Sequence, residues 1–192
     1  MGWPGPELGE TLWETQRWMP AALYYHNTPH VSLGSVHSSG WICQSRYDKV
    51  LFPAQPSQGL RVETMLPGMP PHKRRYEARG RVVQHKNWLL GQGTLFEDGG
   101  IQAFALGPWR MYQVGKGLCA HFALPGSYHA LQVGDLDQYP SVEAFAQALS
   151  FPMMEGGEVH ALTTGGDRVT VDLTDMSIAI NSTPRPHPPA ML

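Results

Sequence analysis

From Val31 onward the chain breaks into short apolar runs separated by glycine, proline, serine and asparagine. Runs of this length suit strands, and the linkers between them are too short for the crossover helices of a parallel sheet. The expected strands are 31–36, 41–47, 49–52, 60–66, 80–90, 94–96, 101–106, 110–114, 118–124, 128–133, 159–163, 168–173 and 177–181. In 60–66 the pattern is explicit, with Leu60, Val62, Thr64 and Leu66 alternating with Arg61, Glu63 and Met65. That is the period of a half-buried strand. No internal repeat of fixed period is present, which argues against a propeller. The pattern therefore predicts an all-β fold: an antiparallel β-sandwich with one or two short peripheral helices.

A chain of 192 residues can bury a sizeable core in one domain, and 42% hydrophobic with 16% charged residues belongs to a folded protein. The expected organisation is a single β-rich domain over 1–183, with a Pro-rich tail at 184–192. A net charge of −2 provides no global field for nucleic acid or an anionic membrane surface. No run approaches the roughly 20 apolar residues of a membrane helix. The start, Met1-Gly2-Trp3-Pro4-Gly5-Pro6, lacks the basic and apolar segments of a signal peptide. If Met1 is the native start, a cytoplasmic location follows. Two cysteines, Cys43 and Cys119, allow at most one bridge, and both lie in apolar runs where a free buried thiol is expected.

Two helices are expected. Residues 6–18 read as an N-terminal strap, forming most of segment 1–20: Pro6 suits a first turn, Glu7 and Glu10 favour its dipole, and Leu8, Leu12 and Thr15 recur at helical spacing before Pro20. The second follows Ser141 as cap, with Glu143 in its first turn and Val142, Phe145 and Leu149 as its buried stripe. The segment 67–75 carries Pro67, Pro70 and Pro71 before His72-Lys73-Arg74-Arg75, and reads as an exposed loop. Thr164-Gly165-Gly166-Asp167 is expected to close a hairpin through a type I′ turn.

Nine histidines raise the question of metal. His26, His30 and His37 crowd the start of the sheet, but Pro29 breaks the helical spacing of the first two, so no metal or other cofactor is expected. If 118–124 and 128–133 form a hairpin pairing Leu124 with Tyr128, then His121 faces Leu131 and His129 faces Ala123. Both imidazoles then share one sheet face with Cys119, expected to be an outer, polar face and a candidate substrate surface. Arg81, Val83, His85 and Asn87 alternate along one strand, opposite Val82 and Trp88. Arginine, histidine and asparagine together suit a carboxylate sugar, with His85 as the candidate acid, base or charge neutraliser and Arg81 and Asn87 as binding residues. No nucleophile elbow, P-loop, dinucleotide fingerprint or His-Glu-x-x-His motif occurs.

The stretch Tyr76-Glu-Ala-Arg-Gly-Arg-Val-Val-Gln-His-Lys-Asn-Trp-Leu-Leu90 resembles a strand of the heparinase II/III-like polysaccharide lyases and their glycosidase-like bacterial relatives. The order of later features is similar: Gly115-Lys-Gly-Leu-Cys-Ala-His-Phe122, the short helix at Tyr139-Pro-Ser-Val-Glu-Ala-Phe145, and the final hairpin from Arg168 to Asn181. Upstream, Tyr25-His-Asn-Thr-Pro-His-Val-Ser-Leu33 is similar to the segment entering their sheet region. Such proteins join an α/α toroid to a β-sandwich region, and this chain has room only for the second. The resemblance implies a carbohydrate-active β-sandwich module that supports or binds an acidic polysaccharide, with a helical-toroid partner domain or chain. Two alternatives stand beside it: a polysaccharide lyase acting on uronic-acid glycans, and a structural or self-assembling β-protein whose sheet edges pair into an oligomer.

Overall fold

The structure, a computed structural model, describes residues 11–16, 19–38, 49–63 and 82–185. The expected strand 41–47, the loop 67–75, Cys43, Arg81 and residues 186–192 of the tail lie outside the described residues.

The fold is all-β and antiparallel, a sandwich in which three sheets stack. Strands β1 (Thr11–Gln16), β2 (Met19–Asn27), β3 (Ser32–Ser38), β4 (Lys49–Leu51) and β5 (Gly59–Glu63) run in order across the first sheet. The chain then enters the central sheet with β6 (Val82–His85) and β7 (Trp88–Gln92), and returns to close the first sheet with β8 (Thr94–Asp98) beside β5. Strands β9 (Ala103–Leu106), β10 (Trp109–Val114), β11 (Gly117–Leu124) and β12 (Tyr128–Asp135) complete the central sheet, in the order β6-β7-β12-β11-β10-β9. Helix α1 (Val142–Ala148) leads to the third sheet, built from β13 (Met153–Glu155), β14 (Glu158–Leu162), β15 (Arg168–Asp172), β16 (Ile178–Ile180) and β17 (Thr183–Pro184).

Both faces of the central sheet are covered, and alternation assigns each residue to a face. Val82, Leu89, Tyr112, Val114, Cys119, Leu131 and Val133 pack against Val31, Leu33, Val50, Phe52, Leu60 and Val62 of the first sheet. Their neighbours Val83, Trp88, Leu90, Leu124, Tyr128 and Ala130 pack against Val159, Ala161, Val169, Val171 and Ile180 of the third. Further along the same face, Trp109, Met111, Leu118 and Ala120 receive Phe145 of α1 and Leu149 just beyond its C-terminus. Burial on two faces explains why Val82-Val83 of β6 and Trp88-Leu89-Leu90 of β7 are continuous apolar runs rather than alternations.

Several expectations hold at the level of register. The β11–β12 hairpin pairs Leu124 with Tyr128, His121 with Leu131 and Ala123 with His129. Helix α1 is capped by Ser141, whose hydroxyl accepts the Ala144 amide at 3.2 Å, and Phe145 is fully buried.

Four expectations need correction. Within the expected N-terminal helix, Thr11–Gln16 is a strand: its six residues pair in register with Met19–Tyr24, a partnership that helical spacing cannot anticipate. The run 80–90 is two strands, because Lys86 takes a φ of 49° and the chain reverses so that His85 pairs with Trp88. Positive φ at the first loop position marks the primed two-residue turns that suit strand twist. The loop Thr164-Gly165-Gly166 is not a type I′ turn, since only Gly166, at φ 85°, is left-handed. With Gly166 N–H donating to Thr163 O and Thr163 N–H to Asp167 O, both at 2.9 Å, the loop is a three-residue connection ending in a left-handed glycine. Finally, Pro184 of the expected tail, together with Thr183 before it, pairs with Ala179 and Ile180.

Candidate functional site: two histidine centres on opposite faces

The first centre forms where the β6–β7 turn meets the β14–β15 loop. His85 lies on the same face as Val83, toward the third sheet, and its Nε2 is 2.9 Å from Asp167 Oδ2. Lys86 Nζ donates to that oxygen at 2.8 Å, and Asn181 Nδ2 donates to Oδ1 at 3.1 Å. These donors, led by Lys86, hold the Asp167 carboxyl far below its usual range. Burial lowers the pKa of His85, and this outweighs the pull of Asp167. A carboxylate can only accept, so the His85 proton sits on Nε2 and the lone pair remains on Nδ1. The positive charges of Lys86 and Arg185 also bear on His85 and push its pKa down. Arg185 acts in the same direction on the half-buried phenol of Tyr24, whose pKa burial nevertheless raises.

Asn87 does not extend the His85 face, contrary to the alternation expected from sequence. It sits in the turn, where Nδ2 donates to Val133 O and to Thr164 Oγ1, both at 2.9 Å. Gln132 Nε2 donates to the same hydroxyl at 3.0 Å. Trp88 shares the His85 face instead of opposing it, because the turn falls between them. Asn87 is thus a clasp residue that fixes the loop bearing Asp167.

The second centre lies on the other face. His121 and His129 come together as the register predicted, with His121 Nε2 3.0 Å from His129 Nδ1 and ring centroids 5.2 Å apart. Their face is not an outer polar surface: it is the one shared with Cys119, Leu131 and Val133, packed between the first and central sheets. His121 is only 7% exposed. His129 Nε2 lies 3.1 Å from the carbonyl of Gly93, the single residue through which the chain crosses from β7 to β8. Gly93 adopts φ 150°, which a side chain would resist, and its amide donates to Ser127 O at 2.8 Å.

The Gly93 carbonyl fixes the tautomers. It can only accept, so His129 carries its proton on Nε2 and offers the lone pair of Nδ1; His121 must then donate from Nε2. His121 Nδ1 is left as a buried lone pair without a hydrogen-bond partner among the described residues. Burial first, then His129 and Arg110, bring the His121 pKa down to about 4, and burial also lowers that of His129. Beside the pair, Glu97 of β8 accepts from the Tyr112 hydroxyl at 2.6 Å and pairs with Arg110.

The remaining histidines and cysteine do other work. His30 Nε2 binds Asp137 at 2.7 Å alongside Lys116, and His26 is half-buried. The side chain of His37 lies outside the described residues. Among the described residues, no three histidine, cysteine, aspartate or glutamate side chains are grouped to hold an ion. Cys119 is a free, fully buried thiol whose pKa burial raises, so it is a poor nucleophile. Among the described residues, no helix is long and apolar enough to cross a membrane.

Sequence reasoning missed Asp167, Lys86, Tyr24 and Arg185. The signal for the first two was an Asn-containing dipeptide, Lys86-Asn87, between apolar runs, which marks a hairpin and brings a distant loop beside His85. Comparison with protein-family models, curated proteins and solved structures finds no match to this chain.

Proposed function

We propose that this chain is a carbohydrate-active β-sandwich module that binds an acidic polysaccharide at the His85 centre. The observation that carries this reading is the surplus of positive charge there. Among the described residues, Lys86 and Arg185 both act on His85, and Asp167 is the one carboxylate hydrogen-bonded to it. Lys86 keeps 55% of its side chain exposed, and Arg185 is exposed, so both are available to a ligand carboxylate. The neighbouring Tyr24 phenol stays protonated at neutral pH. The similarity of segments 76–90 and 115–122 to the sheet region of heparinase II/III-like proteins supports the same reading.

A second reading places uronic-acid elimination on these residues, favoured by the neutral His85 with its Nδ1 lone pair beside Arg185. The imidazole would take the C5 proton beside the sugar carboxylate as the C4–O bond breaks and a C4=C5 double bond forms. The departing glycosidic oxygen would take a proton from solvent, and Arg185 would neutralise the carboxylate. Turnover would need a helical partner to cover the sugar's other side.

The test is calorimetric titration of the full chain with a uronic-acid oligosaccharide and with its carboxyl-reduced, neutral counterpart. Binding of the acidic form, weakened at least tenfold in a Lys86→Ala/Arg185→Ala double variant, is expected. Equal affinity for the neutral counterpart, or an unchanged double variant, would overturn the site. Release of an unsaturated, ultraviolet-absorbing product on addition of a toroid partner would favour the second reading.

A further inference from the structure

We propose that the His121–His129 pair is a proton latch at the corner joining the first sheet to the central one: it takes up one proton with its hydrogen bond intact and opens on the second. The inference is independent of any glycan. It rests on the direction of the hydrogen bonds, which run from His121 Nε2 to His129 Nδ1 and from His129 Nε2 to the Gly93 carbonyl. Within that chain, the one lone pair not already accepting is His121 Nδ1. A first proton placed there leaves both bonds in position and turns the inter-ring bond into a charge-assisted one. A second proton can go only to His129 Nδ1, which is the acceptor of that bond. Two N–H groups then face each other 3.0 Å apart, on rings that are both cations.

The groups around the pair set when this happens. From β8, Glu97 favours charge on His121; from β10, Arg110 opposes it, and each is partly occupied with the other. Tyr112 of β10 spends its hydroxyl on Glu97, and the Cys119 thiol of β11 bonds the Ala120 carbonyl. Burial disfavours a cation on either ring. The latch is therefore shut at neutral pH and opens only in acid. Gly93 is the hinge that would feel the opening, because His129 holds its carbonyl and Ser127 its amide.

The experiment uses the full chain labelled with nitrogen-15 and titrated from neutral to acidic pH. Ring-nitrogen shifts should show His121 Nδ1 protonating first, with the His121 Nε2 proton still hydrogen-bonded. Amide protection at Gly93 and in β8 should then drop at least tenfold as His129 protonates, while β15 keeps its protection. In His129→Gln, the carboxamide can accept from His121 and donate to Gly93 but cannot take a proton, so the corner should stay protected through the same range. The proposal is overturned if His129 protonates first, if β15 opens together with Gly93, or if His129→Gln loses corner protection at the same pH as the parent. Should the variant not fold, the order of protonation in the parent chain decides alone.

Discussion

On one face of the central sheet His85 meets a carboxylate, while on the other His121 meets only a second imidazole. Both histidines have pKa values lowered by burial, yet the two surroundings handle polarity differently. Around His85, charges of both signs are paired, and the Asp167 oxygens are filled by Lys86, His85 and Asn181. Around His121 the two imidazoles are neutral, the Glu97–Arg110 ion pair stands to one side, and the His121 Nδ1 lone pair is left over. The comparison teaches that a histidine's partner decides its use: a carboxylate makes it a structural and binding group, whereas a second imidazole makes it a store for protons.

Three measurements test this difference between the faces. The largest effect should follow Asp167→Ala, which strands the ring N–H of His85 and removes one tie between the loop and the β6–β7 turn, leaving the Asn87–Thr164 bond in place. A loss of about 1–3 kcal/mol in urea denaturation is expected, the cost of one stranded buried donor, since the Asn181 amide is exposed to water. A loss below about 1 kcal/mol would show that the clasp is ornamental.

Next comes acid. His121 has a folded-state pKa of about 4 against the ordinary 6.5, so the unfolded chain binds the proton more readily than the folded one. Stability is unaffected above about pH 6.5, falls as pH drops toward 4, and is fully reduced below that, by up to about 3 kcal/mol. His85, also lowered, adds in the same direction. Asp167 behaves otherwise: its folded pKa is depressed, so its stabilisation persists until pH falls below the usual carboxylate range. Denaturation series at pH 7, 5.5 and 4 on the parent and Asp167→Ala should show the histidine loss in both chains. A flat profile between pH 6.5 and 4 would contradict the neutral pair.

The smallest effect should follow Lys86→Ala. Its ion pair with Asp167 is more than half exposed on the lysine side, and such pairs contribute little, so stability should change by less than about 0.5 kcal/mol. Thermal melts with and without an acidic oligosaccharide separate stability from binding. A large intrinsic loss would move Lys86 from the ligand surface into the clasp.

How far the sequence could be read varied with the range of the contact. The β11–β12 register followed from one short loop, and α1 followed from Ser141 and an apolar stripe; both are settled by neighbours in the chain. From sequence His121 reads as outward-facing because Ala120, Phe122, Leu124 and Tyr128 already supply an ordinary core set on the opposite face. With layers on both sides there is no outer face over the sheet's middle, and the continuous run Trp88-Leu89-Leu90 was the available sign of that. The partner of His85 was out of reach for another reason. Asp167 stands 82 residues away in a glycine-rich loop, where its identity reads simply as a turn residue. For β1, helical spacing competed with a strand pairing that only β2 could supply.

The path of the chain through Gly93 has a consequence for how the molecule assembles. β5 and β8 lie side by side, but the chain between them makes the β6–β7 hairpin of a different layer before it returns. The last seam of the first sheet can zip only after that hairpin has been delivered to its place, with a single residue between β7 and β8 to turn on. Such a non-local closure makes folding slow relative to a chain of consecutive hairpins, and it ties the two layers into one kinetic unit.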